Sequence, residues 1–224
     1  MTTPDSPSPF TNRKAGEAFL IDPTGGAGPG VLVLHSWWGL TPWTRDFCRR
    51  VADLGFTVLA PDLFDGVQPM TEAEGEAVLG EADPDAMSGL VMSSAQTLRA
   101  ASADAAKPIA VIGFSMGASL AMWLSARLTR EVGAVVVFYG AQAIDFDDAT
   151  AEYQGHFADH DHIVSEEDRV LTESFIRLGG RTTDFHVYPE TRHWFFEEGD
   201  SFHADAAALA WSRTETFLRA TIGG

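Results

Sequence analysis

A chain of 224 residues with 45% hydrophobic side chains suits one domain with a single large core. Its 15 Lys and Arg against 32 Asp and Glu leave a net charge of −17, which repels phosphate backbones and anionic headgroups and makes nucleic acid a poor partner. No stretch reaches the apolar length of a membrane span, the opening MTTPDSPSPFTNRK lacks an apolar signal core, and a lone cysteine excludes an internal disulfide, so a cytoplasmic protein without a membrane partner is expected.

Residues 1–14, rich in Pro, Ser and Thr, read as a flexible tail, and residues 15–224 as one domain. The first apolar runs are AFLI (18–21) and VLVLH (31–35), the second running straight into Ser36, Trp37, Trp38 and Gly39. TPWTRDFCRRVADLGF predicts a helix that buries Phe47, Val51 and Leu54, with Cys48 as a buried structural thiol. After the run FTVLAP (56–61), Thr71 with Glu74 caps a helix to about Leu79. Asp83 and Pro84 then open a helix over 84–101, with Met87, Leu90, Val91, Ala95 and Leu98 on one stripe. PIAVIGF (108–114), GAVVVFYG (133–140), YQGHFA (153–158) and DFHVYP (184–189) complete the apolar runs. Ser165 with Asp168 opens a helix to about Leu178, and a last helix spans about Asp205 to Ala220 with Ala207, Ala208, Leu209, Trp211, Phe217 and Leu218 as its buried side. Near-continuous Val- and Ile-rich runs between helices predict strands buried on both faces, hence an α/β architecture with a mostly parallel sheet of about seven or eight strands and helices on both sides. Ligand sites in such sheets lie at the carboxyl ends of the strands.

The strongest site signal stands at such an end. In AVIGFSMGASLAMWL (110–124) an apolar strand meets Gly113, Phe114, Ser115, Met116 and Gly117 and then an apolar helix. A sharp strand-to-helix turn exposes the Ser115 hydroxyl at a helix N-terminus, where the Met116 amide can face a developing oxyanion; side chains at 113 or 117 would collide with their neighbours. A serine nucleophile needs a base, and among seven histidines His193, in YPETRHWFF after the last strand, has the position that suits one. For the acid that orients it, HFADHDHIVSEED offers Asp161, 46 residues after Ser115 and 32 before His193, with Asp159 as its neighbour and rival and Asp145 as a more distant one. His156, Asp159, His160 and His162 crowd the same stretch, but their order matches no zinc motif; no metal and no cofactor are expected.

These four segments, VLVLHSWWGL, IGFSMGA, HFADHDHIV and YPETRHWFF with the alanine-rich last helix, resemble in order and spacing the dienelactone hydrolases of the α/β-hydrolase superfamily. The resemblance implies the α/β-hydrolase fold, a three-layer sandwich, and covers most of the chain. It implies a triad at Ser115, Asp161 and His193, with Trp37 supplying the second oxyanion amide beside Met116. Three positions depart from the family pattern: Ser115 stands where cysteine is common, Ser36 where a glutamate helps to control that thiol, and Glu197 about where an arginine anchors the substrate's carboxylate, and an acid there is expected to repel one. Ser36, Trp38, Trp43, Trp194 and Phe195 are the candidates for pocket walls. Two helices between Phe64 and Pro108 are too little for a large cap, so an open site taking small, soluble esters is expected. The expected function is a serine hydrolase that cleaves small carboxylic esters or lactones through an acyl-enzyme. The alternatives are a non-catalytic binding protein on the same fold and a thioesterase or acyltransferase with the same triad.

Overall fold

The computed structural model describes residues 17–223; the predicted tail over residues 1–14 lies outside them. Seven strands form one sheet in the order β1-β3-β2-β4-β5-β6-β7. β1 (Ala18–Ile21) runs antiparallel to β3 (Thr57–Pro61), and all other neighbours are parallel: β2 (Gly30–Leu34), β4 (Ile109–Phe114), β5 (Val132–Phe138), β6 (Glu152–His160) and β7 (Thr183–Arg192). The helices are α1 (Pro42–Ala52), α2 (Glu72–Glu81), α3 (Pro84–Ala101), α4 (Met116–Ser125), α5 (Glu166–Leu178) and α6 (Ala204–Thr221). Among the described residues no helix is long and apolar enough to cross a membrane.

The unbroken apolar runs are explained by two separate cores. Val31 and Val33 of β2, with Ala110 and Ile112 of β4 and Ala134 and Val136 of β5, pack under Phe47, Cys48 and Val51 of α1 and Trp211 and Leu218 of α6. The alternating residues Leu32, Leu34, Val111, Val135 and Val137 pack under Met87, Val91 and Leu98 of α3, Ala118 and Met122 of α4, and Ile176 of α5. A strand covered on both faces has no polar side to alternate with. Cys48 is fully buried, and burial pushes its thiol up to about 12, so it stays protonated and inert.

α6 corrects the predicted face. Its buried residues are Ala206, Ala207, Ala210, Trp211, Thr214 and Leu218, while Ala208 is exposed and Leu209 is 48% exposed. At about 100° per residue Leu209 lies roughly opposite Trp211, so one helix cannot bury both against a single sheet.

β6 and β7 run past their predicted ends through an irregular pairing between Ala158 and His160, where the two oxygens of Asp159 accept the Glu190 and Thr191 amides. The last paired residues are His160 and Arg192, so the next residue on each strand, Asp161 and His193, emerges beside the other. The chain passes from β2 outward to β3 and then back across to β4. Its reversal point thus falls between the carboxyl ends of β2 and β4, where open α/β sheets form their crevice.

Inside β6, His156 is fully buried; its Nδ1 accepts from the Tyr188 hydroxyl at 2.8 Å and its Nε2 meets Gln154 Oε1 and Thr214 Oγ1, both at 3.1 Å. Burial, with His186 and Arg213 nearby, holds its pKa well below the usual imidazole range. The native state therefore refuses a proton that the unfolded chain accepts below about pH 6.5, and stability falls as the pH drops below that value. Urea midpoints measured from pH 8 to pH 5 should show this loss, at most about 1.4 kcal/mol per pH unit from this one group. His156→Gln should make the slope shallower; an unchanged slope would assign the acid sensitivity elsewhere.

Candidate active site

Ser115 sits between β4 and α4 with φ +50 and ψ −113, a conformation that costs a non-glycine residue about 1–3 kcal/mol. It is held there from both sides: its amide donates to Phe138 O at 2.9 Å and its carbonyl accepts from Ala118. The flanking glycines are required by contact. A Cβ on Gly113 would lie 2.2 Å from Gly117 O, and a Cβ on Gly117 would lie 2.2 Å from Leu34 O. Any side chain at either position pushes the elbow off β2 or off its own helix.

Ser115 Oγ lies 2.8 Å from His193 Nε2, across 78 residues of chain. His193 is fully buried, and its Nδ1 lies 2.7 Å from Asp161 Oδ2 and 2.9 Å from Oδ1. Asp161 Oδ1 also accepts the Ile163 and Val164 amides at 2.8 and 2.9 Å. A carboxylate so occupied accepts from Nδ1–H, which leaves the Nε2 lone pair to take the Ser115 proton. The imidazole is clamped edge-on to Trp194, centroids 4.5 Å apart, and against Tyr139 at 4.9 Å. Trp194 itself has φ +63, unusual for a bulky side chain, and this turns its ring against the imidazole as the chain leaves β7. Of the rival acids, Asp159 is committed to the β7 amides and Asp145 is exposed, with Oδ1 accepting from Asp147 N.

Ser115 is 9% exposed and opens on a cleft of about 440 Å³. Trp37, Met116, Leu79, Ile163, Val164 and Leu171 give it apolar walls, Ser119, Gln142 and Thr172 add polar atoms, and Asp168 stands on its rim. Among the described residues no Lys or Arg lines it. The amides of Trp37 and Met116, both at this cleft, donate to no protein acceptor among the described residues. The arrangement can therefore pass a proton from Ser115 to His193 and offer two backbone donors to an oxyanion.

None of the predicted pocket walls lines the Ser115 cleft itself. Trp38, Trp43 and Trp194 line a second groove of about 560 Å³ that does not include Ser115. Trp37 packs on Trp38 and Trp194 with centroids 5.9 and 5.2 Å apart, so these rings form the partition between the two hollows. Phe195 is fully buried between Tyr139 and Tyr188, and Ser36 is 1% exposed; both belong to the interior. Glu197 is also corrected. It is 4% exposed and accepts from Ser36 Oγ and Tyr139 OH, each at 2.8 Å; it borders the second groove and does not line the Ser115 cleft. Burial pushes its carboxyl up to about 7. Sequence reasoning missed Tyr139 and the Gly140–Ala143 wall, although the carboxyl end of β5 is a place where the topology puts ligand-facing residues. α2 reaches the cleft with Leu79, and its Glu72 meets His162 Nε2 at 3.2 Å; of the two helices between Phe64 and Pro108 it is the one that borders the site. The four residues weighed for a metal do not converge: His156 lies inside the core, Asp159 bonds the β7 backbone, His160 is largely exposed and His162 turns to Glu72.

Residues 17–222 match the dienelactone hydrolase family. The chain belongs to that family. As a dienelactone hydrolase family member it is a hydrolase of the ester or lactone type. It is 28% identical over 203 residues to the Protein usf of Aquifex pyrophilus, covering 86% of this chain and 88% of that protein. It is 26% identical over 225 residues to Carboxymethylenebutenolidase 1 of Cupriavidus pinatubonensis, covering 93% of this chain and 94% of that one. Among solved structures, a dienelactone hydrolase-like promiscuous phosphotriesterase from metagenomic libraries superposes with a TM-score of 0.77 at 22% identity, covering 93% of this chain and 99% of that one. At that identity the likeness speaks for the fold.

Proposed function

We propose that this family member hydrolyses small, uncharged carboxylic esters or lactones through an acyl-enzyme on Ser115. The observation that carries the reading is the unbroken chain Ser115 Oγ, His193 Nε2, His193 Nδ1 and Asp161, opening on a cleft without a cation. Neutral His193 takes the Ser115 proton as Oγ attacks the carbonyl, and Asp161 steadies the imidazolium that forms. The Trp37 and Met116 amides hold the oxyanion as it develops. Collapse of the tetrahedral intermediate returns the proton from His193 to the leaving alkoxide, which departs as the alcohol. Water, deprotonated by His193 in turn, then attacks the acyl-enzyme and frees the acid and Ser115. Nothing in this cycle calls for a metal or cofactor.

The substrate's charge follows from the walls. A carboxylate in this cleft would find no Lys or Arg, would face Asp168 and would enter against a net charge of −17. Initial rates of p-nitrophenol release from p-nitrophenyl acetate and from the p-nitrophenyl monoester of a dicarboxylic acid test both parts. The neutral ester should turn over with a kcat/KM at least about tenfold higher, a difference of about 1.4 kcal/mol. Equal or faster turnover of the anionic ester would overturn the charge assignment, and no release above the Ser115→Ala blank would overturn the serine hydrolase reading itself.

A further inference from the structure

Glu197 is a buried carboxyl that the acyl-transfer cycle does not use. Three loops meet on it, one after each of three strands. The loop after β2 sends Ser36 Oγ to Glu197 Oε2, and the loop after β5 sends Tyr139 OH to Oε1, both at 2.8 Å. Glu197 itself stands four residues after His193 in the loop after β7, where its amide donates to Trp194 O at 3.0 Å. Each loop carries part of the site. The first carries the Trp37 amide, the second the ring packed on the imidazole at 4.9 Å, and the third His193.

We infer that Glu197 is a positioning residue for the reaction at Ser115, setting the Trp37 amide and the His193 ring relative to each other by holding Ser36 and Tyr139 at once. The inference rests on the proposed role of Ser115. Three further points support it. The Ser36 loop is restrained on its other side as well: His35 Nδ1 lies 2.6 Å from Ser36 O while His35 Nε2 accepts the Leu63 amide, so the Glu197 bond completes a loop with little remaining freedom. Burying a carboxyl is also a poor route to stability, because desolvation opposes it and an apolar replacement is commonly no worse. Tyr139 reaches the carboxyl from a residue at φ +39, backbone strain that a purely packing role would not need.

The carboxyl's protonation explains which replacement should be tolerated. As a carboxylate it accepts from both hydroxyls; as the neutral acid it accepts from one and donates to the other, which a glutamine can imitate. Its hydrogen-bond partners are Ser36 and Tyr139, with His193 and Asp161 beyond Tyr139, and on its other side it borders the groove that Glu72, Glu198 and Asp200 also line. Burial pushes Glu197 up to about 7.

The test compares E197A, E197Q, S36A and Y139F on p-nitrophenyl acetate, with fluorophosphonate labelling of Ser115 in each. E197A should lower kcat by about 30-fold or more while KM moves less than about threefold, because the oxyanion contact is made in the transition state. E197Q should recover to within about fivefold of the parent kcat, and S36A should cost several-fold in the parent but nothing further in the E197A background. Should E197A fail to fold, the S36A and Y139F values and the E197Q rescue still decide. A parent-like kcat in folded E197A, or a loss in KM alone, would overturn the inference. An unlabelled parent enzyme would instead overturn the role of Ser115 and is read separately.

Discussion

Ser115→Ala is expected to lower kcat/KM for p-nitrophenyl acetate by about 10⁴-fold or more, leaving the residual rate that the oxyanion donors and binding alone provide. The expectation follows from what the substitution spares. Alanine keeps the Cβ and the φ of +50, so the elbow, the Met116 amide and the contacts at Gly113 and Gly117 persist. His193 loses its 2.8 Å partner but keeps Asp161, and water in the cleft can fill the place of a hydroxyl. Thermal stability should therefore move by no more than about 1 kcal/mol, the net worth of the one hydrogen bond that is lost. Intact-mass measurement after fluorophosphonate treatment should show one adduct on the parent protein and none on the variant. Turnover within tenfold of the parent, or an adduct that survives, would place the nucleophile elsewhere; Cys48, fully buried and held protonated, is a poor candidate.

Local order made most of the fold legible. The apolar runs alternate, residue by residue, between two cores, and that requires only that helices flank each strand; the helix caps at Thr71, Asp83 and Ser165 were readable because each bond is made within three residues. The elbow and its glycines were readable for the same reason. Glu197 was not. Its chemistry is set by Ser36, 161 positions away, and by Tyr139, 58 away, and a one-dimensional reading sees only an acid after two phenylalanines. The tryptophans misled in a related way. An aromatic run beside an active-site loop suggests pocket walls, whereas only Trp37 borders the Ser115 cleft and Trp38 and Trp194 lie behind it. The same geometry changes the meaning of Ser36. Restoring a glutamate there, with Ser115→Cys, would press a second carboxyl against Glu197 in a buried site where both cannot ionise cheaply, so that exchange needs position 197 changed as well.

Asp161→Asn is expected to cost about 10⁴ in kcat while Asp159→Asn costs far less, although the two residues are separated by one position. The cause lies in which oxygen is already taken. Asp161 Oδ1 accepts the Ile163 and Val164 amides, so in an asparagine the amide oxygen is held at those two donors and the NH₂ turns to His193. With a donor at the nearer, 2.7 Å position and the oxygen at 2.9 Å already shared by two amides, the tautomer with the proton on Nε2 is favoured, and the imidazole presents N–H rather than a lone pair to Ser115. The base is lost although the positions of the atoms barely change. Asp159 has both oxygens on backbone amides of Glu190 and Thr191, so an asparagine there sets its NH₂ against an N–H at the β6–β7 irregularity. That loosens the strand pairing that delivers Asp161 and His193 side by side, and its signature should be a lower unfolding midpoint with kcat within about tenfold of the parent. Equal losses of kcat in both variants, or a larger one in Asp159→Asn, would make Asp159 the orienting acid and leave the 2.7 Å contact of Asp161 without a catalytic role.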